Sequence, residues 1–138
     1  MSSSMIASNK HRRAHWLLCR RLELPAKLCE MWIYLVYNSF IPAQCEIGEG
    51  AMFGHKGIDM SMRKLSRVGK NCMVDRGVII GGCGVRYKVP AIGDNCHIGA
   101  DAKAFGPIVI GDNAMIGTNA VTIKGAPFGS VWGCLRNV

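Results

Sequence analysis

One histidine stands in a setting that could do chemistry. His55 lies in the run Phe53-Gly54-His55-Lys56-Gly57, with glycine close on both sides. A neutral imidazole can take a proton from a hydroxyl or an amine while that group attacks an acyl thioester. Such a transfer needs a base, an oxyanion donor and correct placement of the two reactants. Lys56, Arg63, Arg86 and Lys88 follow in the sequence and could line the path of an acidic acceptor. The net charge of +8 suits anionic partners: nucleotide phosphates, nucleic acid or a membrane surface.

The elements that must position His55 are set by a period of six. From Ile92 to Ile123 the chain reads IGDNCH, IGADAK, AFGPIV, IGDNAM, IGTNAV, TI, five six-residue units without a gap. Isoleucine opens four of them and glycine follows in four; Cys96, Ala102, Ile108, Ala114 and Ala120 hold the fifth position. A fixed period of six predicts a triangular coil, with each hexapeptide making one flat side and three making a turn. The first residue points inward and stacks on its equivalents. The small fifth residue fits beside it, and Gly or Asn takes the corner, where positive φ is cheap. The register extends back through Ile41, Ile47 and Phe53, then in a shifted phase through Met62, Val68, Val74 and Ile80. The shift falls at His55-Lys56-Gly57, placing His55 on an outward-facing corner. A second excursion, Gly82 to Ala91, preserves phase, because Ile80 and Ile92 are twelve apart. Arg86, Tyr87 and Lys88 cannot stack in a core, so this stretch reads as an extruded loop of the kind that builds binding faces on solenoids.

The rest of the chain divides around this coil. Residues 1–40 form a helical segment, 41–127 the coil with loops near 55–61 and 82–91, and 128–138 a tail with one closing strand. Asn9 caps a first helix running to about Leu22, basic through His11, Arg12, Arg13, Arg20 and Arg21. Pro25 sits in the first turn of a second helix, on which Leu28, Met31, Trp32, Leu35 and Val36 make one apolar stripe. Two readings follow: a hairpin packed on the coil's end or on a neighbouring subunit, or a basic amphipathic segment lying on an anionic membrane. The coil resumes at Val68 after an irregular basic stretch.

At 138 residues this is one domain's worth of chain. The seven cysteines do not form a disulfide pattern: the count is odd, and Cys45, Cys72 and Cys96 take the small fifth position, where Cys acts as a small hydrophobe. With no signal peptide at its start, the chain reads as cytoplasmic with reduced thiols, and the basic segment would suit the inner face of a membrane. The four histidines lack zinc-type spacing, so no metal is expected. Nucleic acid is not expected as a ligand class, since no basic-aromatic platform is present.

The motifs IPAQCEIGEGAMFGHKGI, VGKNCMVDRGVIIGG, VPAIGDNCHIGADAKAFGPIVIGDNAMIGTNAV and PFGSVWGCLRNV together resemble the serine acetyltransferase branch of the hexapeptide-repeat acyltransferases. The chain looks most like the short members that modify sugars of surface polysaccharides. The resemblance implies a mainly β fold, a left-handed parallel β-helix with an N-terminal α-helical segment, and a homotrimer with sites between adjacent coils. It puts the family's catalytic histidine on His55. It maps acetyl-CoA contacts, largely backbone amides at corners, onto Gly82, Ala100 and Thr118, with Lys124 placed to meet a CoA phosphate as a point charge.

The departures from that family carry weight. Serine acetyltransferases have an aspartate fifteen residues before the histidine; here that position is Phe40, leaving a backbone carbonyl or Asn38 to hold His55, with Asp59 and Asp75 as weaker candidates. Their Arg-His-Pro run is here Lys88-Val89-Pro90. The long bacterial N-terminal helical domain is missing from this sequence. The resulting expectation is acetyl-CoA-dependent O-acetylation of a sugar or saccharide hydroxyl, with His55 as base and Arg86 and Lys88 at the acceptor. Serine O-acetylation and a non-catalytic trimeric scaffold are the alternatives.

Overall fold

The computed structural model describes residues 5–84 and 88–133, with side chains from residue 9 onward in the first helix. From Glu46 the chain winds as a parallel β-helix. The first sheet holds β1 (Glu46–Ile47), β4 (Arg67–Val68), β7 (Ala91–Ile92) and β10 (Val109–Ile110). The second holds β2 (Met52–Phe53), β5 (Met73–Val74), β8 (His97–Ile98), β11 (Met115–Ile116) and β13 (Val131–Trp132). The third holds β3 (Ser61–Met62), β6 (Ile79–Gly81), β9 (Lys103–Phe105) and β12 (Val121–Thr122). Successive strands visit the three sheets in turn, so each hexapeptide makes one side of a triangular prism.

Parallel in-register pairing turns the sequence period into columns. Ile47, Val68, Ile92 and Ile110 stack inside the first sheet. Phe53, Val74, Ile98 and Ile116 stack inside the second, and Met62, Ile80, Ala104 and Thr122 inside the third. The small fifth residues are buried beside them, Cys72, Cys96 and Ala114 in one column and Val78, Ala102 and Ala120 in another. Corners are sharp because their residues adopt left-handed backbone: Asn71, Asn95 and Asn113 at φ 53, 55 and 57° in one column. Asparagine tolerates that region better than other residues with a Cβ. Gly48 answers a different need, close approach, since a Cβ there would lie 2.5 Å from the Gly69 carbonyl carbon.

The coil resumes after the phase shift at Ser61, earlier than Val68, because Ser61 and Met62 pair in register with Ile79 and Ile80. The irregular basic residues Arg63 and Lys64 are thus an exposed corner between β3 and β4. At the far end the tail supplies β13, which extends the second sheet past β11. Residues 134–138 of the expected tail lie outside the described residues.

The N-terminal segment is a helical hairpin. The first helix, α1 (Met5–Cys19), already contains Asn9 in its interior and stops before Leu22. Its stop is a Schellman motif: Arg21 turns left-handed at φ 59°, the Leu22 N–H donates to Leu17 O and the Arg21 N–H to Leu18 O. The second helix, α2 (Glu23–Tyr37), has Pro25 in its first turn as expected. Its packing face differs from the expected stripe. Ala26, Ile33 and Tyr37 are buried, whereas Leu28, Met31, Trp32, Leu35 and Val36 are exposed. The helix is apolar almost all round, so the sequence stripe could not reveal which side docks. Ile33 and Tyr37 join the coil's core and plug its open end. Three side chains bind the hairpin to the strand entry: His11 Nε2 lies 2.8 Å from Pro42 O, His15 Nδ1 lies 2.7 Å from Ala43 O, and Glu30 accepts from the Ala43 N–H.

Candidate active site

His55 sits in the tight turn Gly54–Gly57 that follows β2, and its backbone is left-handed, φ 47° and ψ 40°. Lys56 is left-handed too, at φ 67°. Two adjacent non-glycine residues in that region store strain of the kind that clusters at functional sites. The surrounding structure holds them there: Phe53 is fully buried on one side of the turn and Gly57 on the other, with the Gly57 carbonyl accepting from the buried Ser39 hydroxyl. The imidazole itself is solvent-exposed, and among the described residues no hydrogen bond holds it.

Asn38 caps α2 with φ 50° and gives its amide to Asp59 Oδ1 at 3.5 Å rather than to His55. Phe40 is half exposed and bridges in parallel to Ser61, so it acts as coil backbone. Asp75 lies beside this corner. A Cβ at Gly54 would stand 2.1 Å from Asp75 Oδ1, so the carboxylate lies over the residue preceding His55. Its other oxygen pairs with His97 Nε2 at 3.5 Å. The sequence reading held Asp75 as a weaker candidate for orienting His55 and passed over His97. The signal was present in the register, because Met73 pairs with His97 once the Gly82–Ala91 excursion is counted as one added side.

The mapped cofactor residues fall on two corners. Ala100 and Thr118 lie on the same column as His55, between the second and third sheets, and the Asn119 N–H donates to Ala100 O along it. Space there is narrow: a Cβ at Gly99 would be 2.7 Å from the Thr118 nitrogen, so the corner presents backbone. Gly82 and Lys124 lie on the next corner, between the third and first sheets, with Lys124 exposed. There Arg63 covers Gly82, its guanidinium 2.4 Å from where a Cβ would sit. Lys88 is exposed on the excursion from that same corner, and Arg86 lies outside the described residues. One flat side, six residues of chain from Thr118 to Lys124, separates the two groups.

The buried thiols take no part. Burial pushes Cys45 up to about 12 and Cys72 up to about 11, and Cys96 is raised for the same reason. All six described cysteines are free.

A prism of stacked hexapeptides defines the class of the molecule, and comparison with known proteins bears this out. A family model described as the hexapeptide repeat of succinyl-transferase matches residues 91–106 and 107–130. Within that class, serine acetyltransferase of Helicobacter pylori is 31% identical over 123 residues, which are 87% of this chain and 71% of that protein. The Mycobacterium tuberculosis serine acetyltransferase is 34% identical over 85% of this chain and 52% of its own length. A crystal structure of Neisseria gonorrhoeae serine acetyltransferase in complex with serine superposes with a TM-score of 0.86 at 28% identity, covering 94% of this chain and 53% of that one. The chain belongs to the serine acetyltransferase family of hexapeptide-repeat proteins. It spans about half the length of most of these relatives.

Proposed function

We propose that this chain is an acetyl-CoA-dependent O-acetyltransferase with His55 as general base and L-serine as the first acceptor to consider. The observation that carries the reading is the strained, exposed His55 on the same corner column as the bare backbone of Ala100 and Thr118. The imidazole takes the proton of the attacking hydroxyl as its oxygen bonds to the thioester carbonyl carbon. A corner amide holds the oxyanion. When the carbon–sulfur bond breaks, the CoA thiolate recovers the proton from His55. Cations at the neighbouring corner, Arg63 and Lys124, suit the donor's phosphates, so a long donor can put its thioester at one corner and its charge at the other.

The acceptor departs from the sequence expectation of a sugar hydroxyl. The matched relatives are named for serine, and the Neisseria protein was solved with serine bound. Phe40 and Lys88 remain differences from the family motif within this reading. A homotrimer, with acceptor and donor held between copies, is part of the proposal.

The test is thiol release from acetyl-CoA with L-serine, simple sugars and nucleotide sugars as acceptors. His55→Ala is expected to lower the serine-dependent rate roughly 10²- to 10⁴-fold. Wild-type turnover in that variant would remove His55 from the mechanism. Release with a sugar but not with serine would restore the saccharide acceptor. No release and no CoA binding would leave a scaffold.

A further inference from the structure

The outer face of α2 is the feature that the acetyl-transfer reading leaves unused. Leu24, Leu28, Met31 and Leu35 project from one side of this helix, within an arc of about 60° at 100° per residue. Leu24, Leu28 and Leu35 are 76, 61 and 72% exposed. Ile33, on the opposite side, is fully buried against the coil. The docking of the hairpin therefore does not explain the stripe: a second apolar face points away from the molecule.

The surroundings of the stripe are predominantly basic. Arg20 and Arg21 are exposed at the hairpin tip, and Lys27 is exposed on the stripe's flank. Arg20 stacks 4.5 Å over the half-exposed Trp16, and Lys10 sits 3.2 Å from the ring centre of Trp32, on the stripe's other flank. Of the two carboxylates on α2, Glu30 is engaged with the Ala43 N–H and Glu23 alone stands near the tip. A second copy of this face would bring the same arginines and lysine and little to answer them. An anionic lipid surface answers both features, taking the leucines into the acyl boundary and the cations at the headgroups. Indole rings with cations stacked on them suit that interfacial depth.

We infer that the outer face of α2, with the Arg20–Arg21 tip, is a docking surface for an anionic membrane, on which the helix lies flat. At fifteen residues the helix is too short to span a bilayer. The inference stands independently of the acetyl-transfer reading.

The test is co-flotation of the full chain with vesicles of phosphatidylcholine alone or mixed with phosphatidylglycerol. Binding is expected with the anionic vesicles, together with a blue shift of tryptophan emission. The double variant L28E/L35E changes two exposed positions, so it should keep the melting temperature while losing vesicle binding. Arg20→Ser with Arg21→Ser should weaken binding about tenfold or more, at ~1 kcal/mol per basic residue near the surface. Absence of binding to the anionic vesicles would overturn the inference, as would binding that survives L28E/L35E. If that variant instead lowers the oligomer mass in sedimentation without vesicles, the stripe seats a second copy and the lipid assignment fails.

Discussion

The coil and the helical hairpin are held by different means. In the coil every turn repeats the one below it. Side chains stack on their equivalents, and the backbone ladder carries hydrogen bonds between residues one turn apart, such as Asn95 N–H to Lys70 O and Asn113 N–H to Asp94 O. Loss of one column residue is felt by both neighbours. The hairpin has no such redundancy. It docks through Ile33 and Tyr37 in the coil's core, through Ala14 and Ala26 packed with Ala43, and through His11, His15 and Glu30 gripping the backbone at Pro42 and Ala43. The difference teaches that a solenoid's stability is distributed over its repeats, whereas its end cap depends on a small set of particular contacts.

The sharpest way to break that comparison is to truncate one leucine or isoleucine in each region. Ile80→Ala removes a fully buried column residue and should cost roughly 2–5 kcal/mol in urea unfolding. Leu35→Ala, on the exposed stripe of α2, should stay within about 0.5 kcal/mol. Equal losses would mean that the outer stripe of α2 is packed in solution.

Acid should act on the hairpin first. His11 is 1% exposed, and its Nε2 must carry the proton donated to Pro42 O, which leaves Nδ1 without a partner. Protonating Nδ1 would bury an unpaired N–H. Burial accordingly lowers the His11 pKa from 6.5 to about 4, opposed by the Pro42 bond and aided by His15. The folded value lies below the unfolded one, so the unfolded chain binds the proton first as pH falls. Stability is full above 6.5 and declines between 6.5 and 4, by on the order of 3 kcal/mol in total. Hydrogen exchange should show α1 amides opening across that window while coil amides remain protected. His11→Gln should flatten the dependence; an unchanged profile would shift the cause to other groups.

The smallest effect is chemical. Cys19 and Cys83 are exposed, whereas Cys45 and Cys72 are buried with raised pKa values. Thiolate, the reactive form, is scarce at the buried sites. A maleimide at neutral pH should therefore label Cys19 and Cys83 quickly and the coil cysteines only on unfolding, as peptide mapping would show.

His55 illustrates how far the site could be read without coordinates. Its place at the phase break was legible, because an inserted stretch in a period-six pattern must leave the coil at a corner. The grouping of Ala100 and Thr118 on the same column also follows from the register. Arg63 over Gly82 and the Asn38–Asp59 contact were not legible, since each joins residues distant in the chain whose side-chain directions depend on local corner geometry.

The sequence by itself determined the coil. A six-residue period admits one inward position per side, and a shift of register would expose every column, so burial enforces the pattern locally and repeatedly. It determined as well that two helices precede the coil, through Pro25 and the apolar content of residues 23–37. Which side of α2 docks was decided only by tertiary structure. That helix is apolar on opposite faces, so its periodicity is ambiguous, and the choice fell to the face whose Ile33 and Tyr37 fit the open end of the coil. The ending of α1 at Cys19 has the same origin: the left-handed turn at Arg21 is repaid by the antiparallel packing of the two helices and by the grip of His11 and His15 on the coil, contacts that no local window of sequence contains.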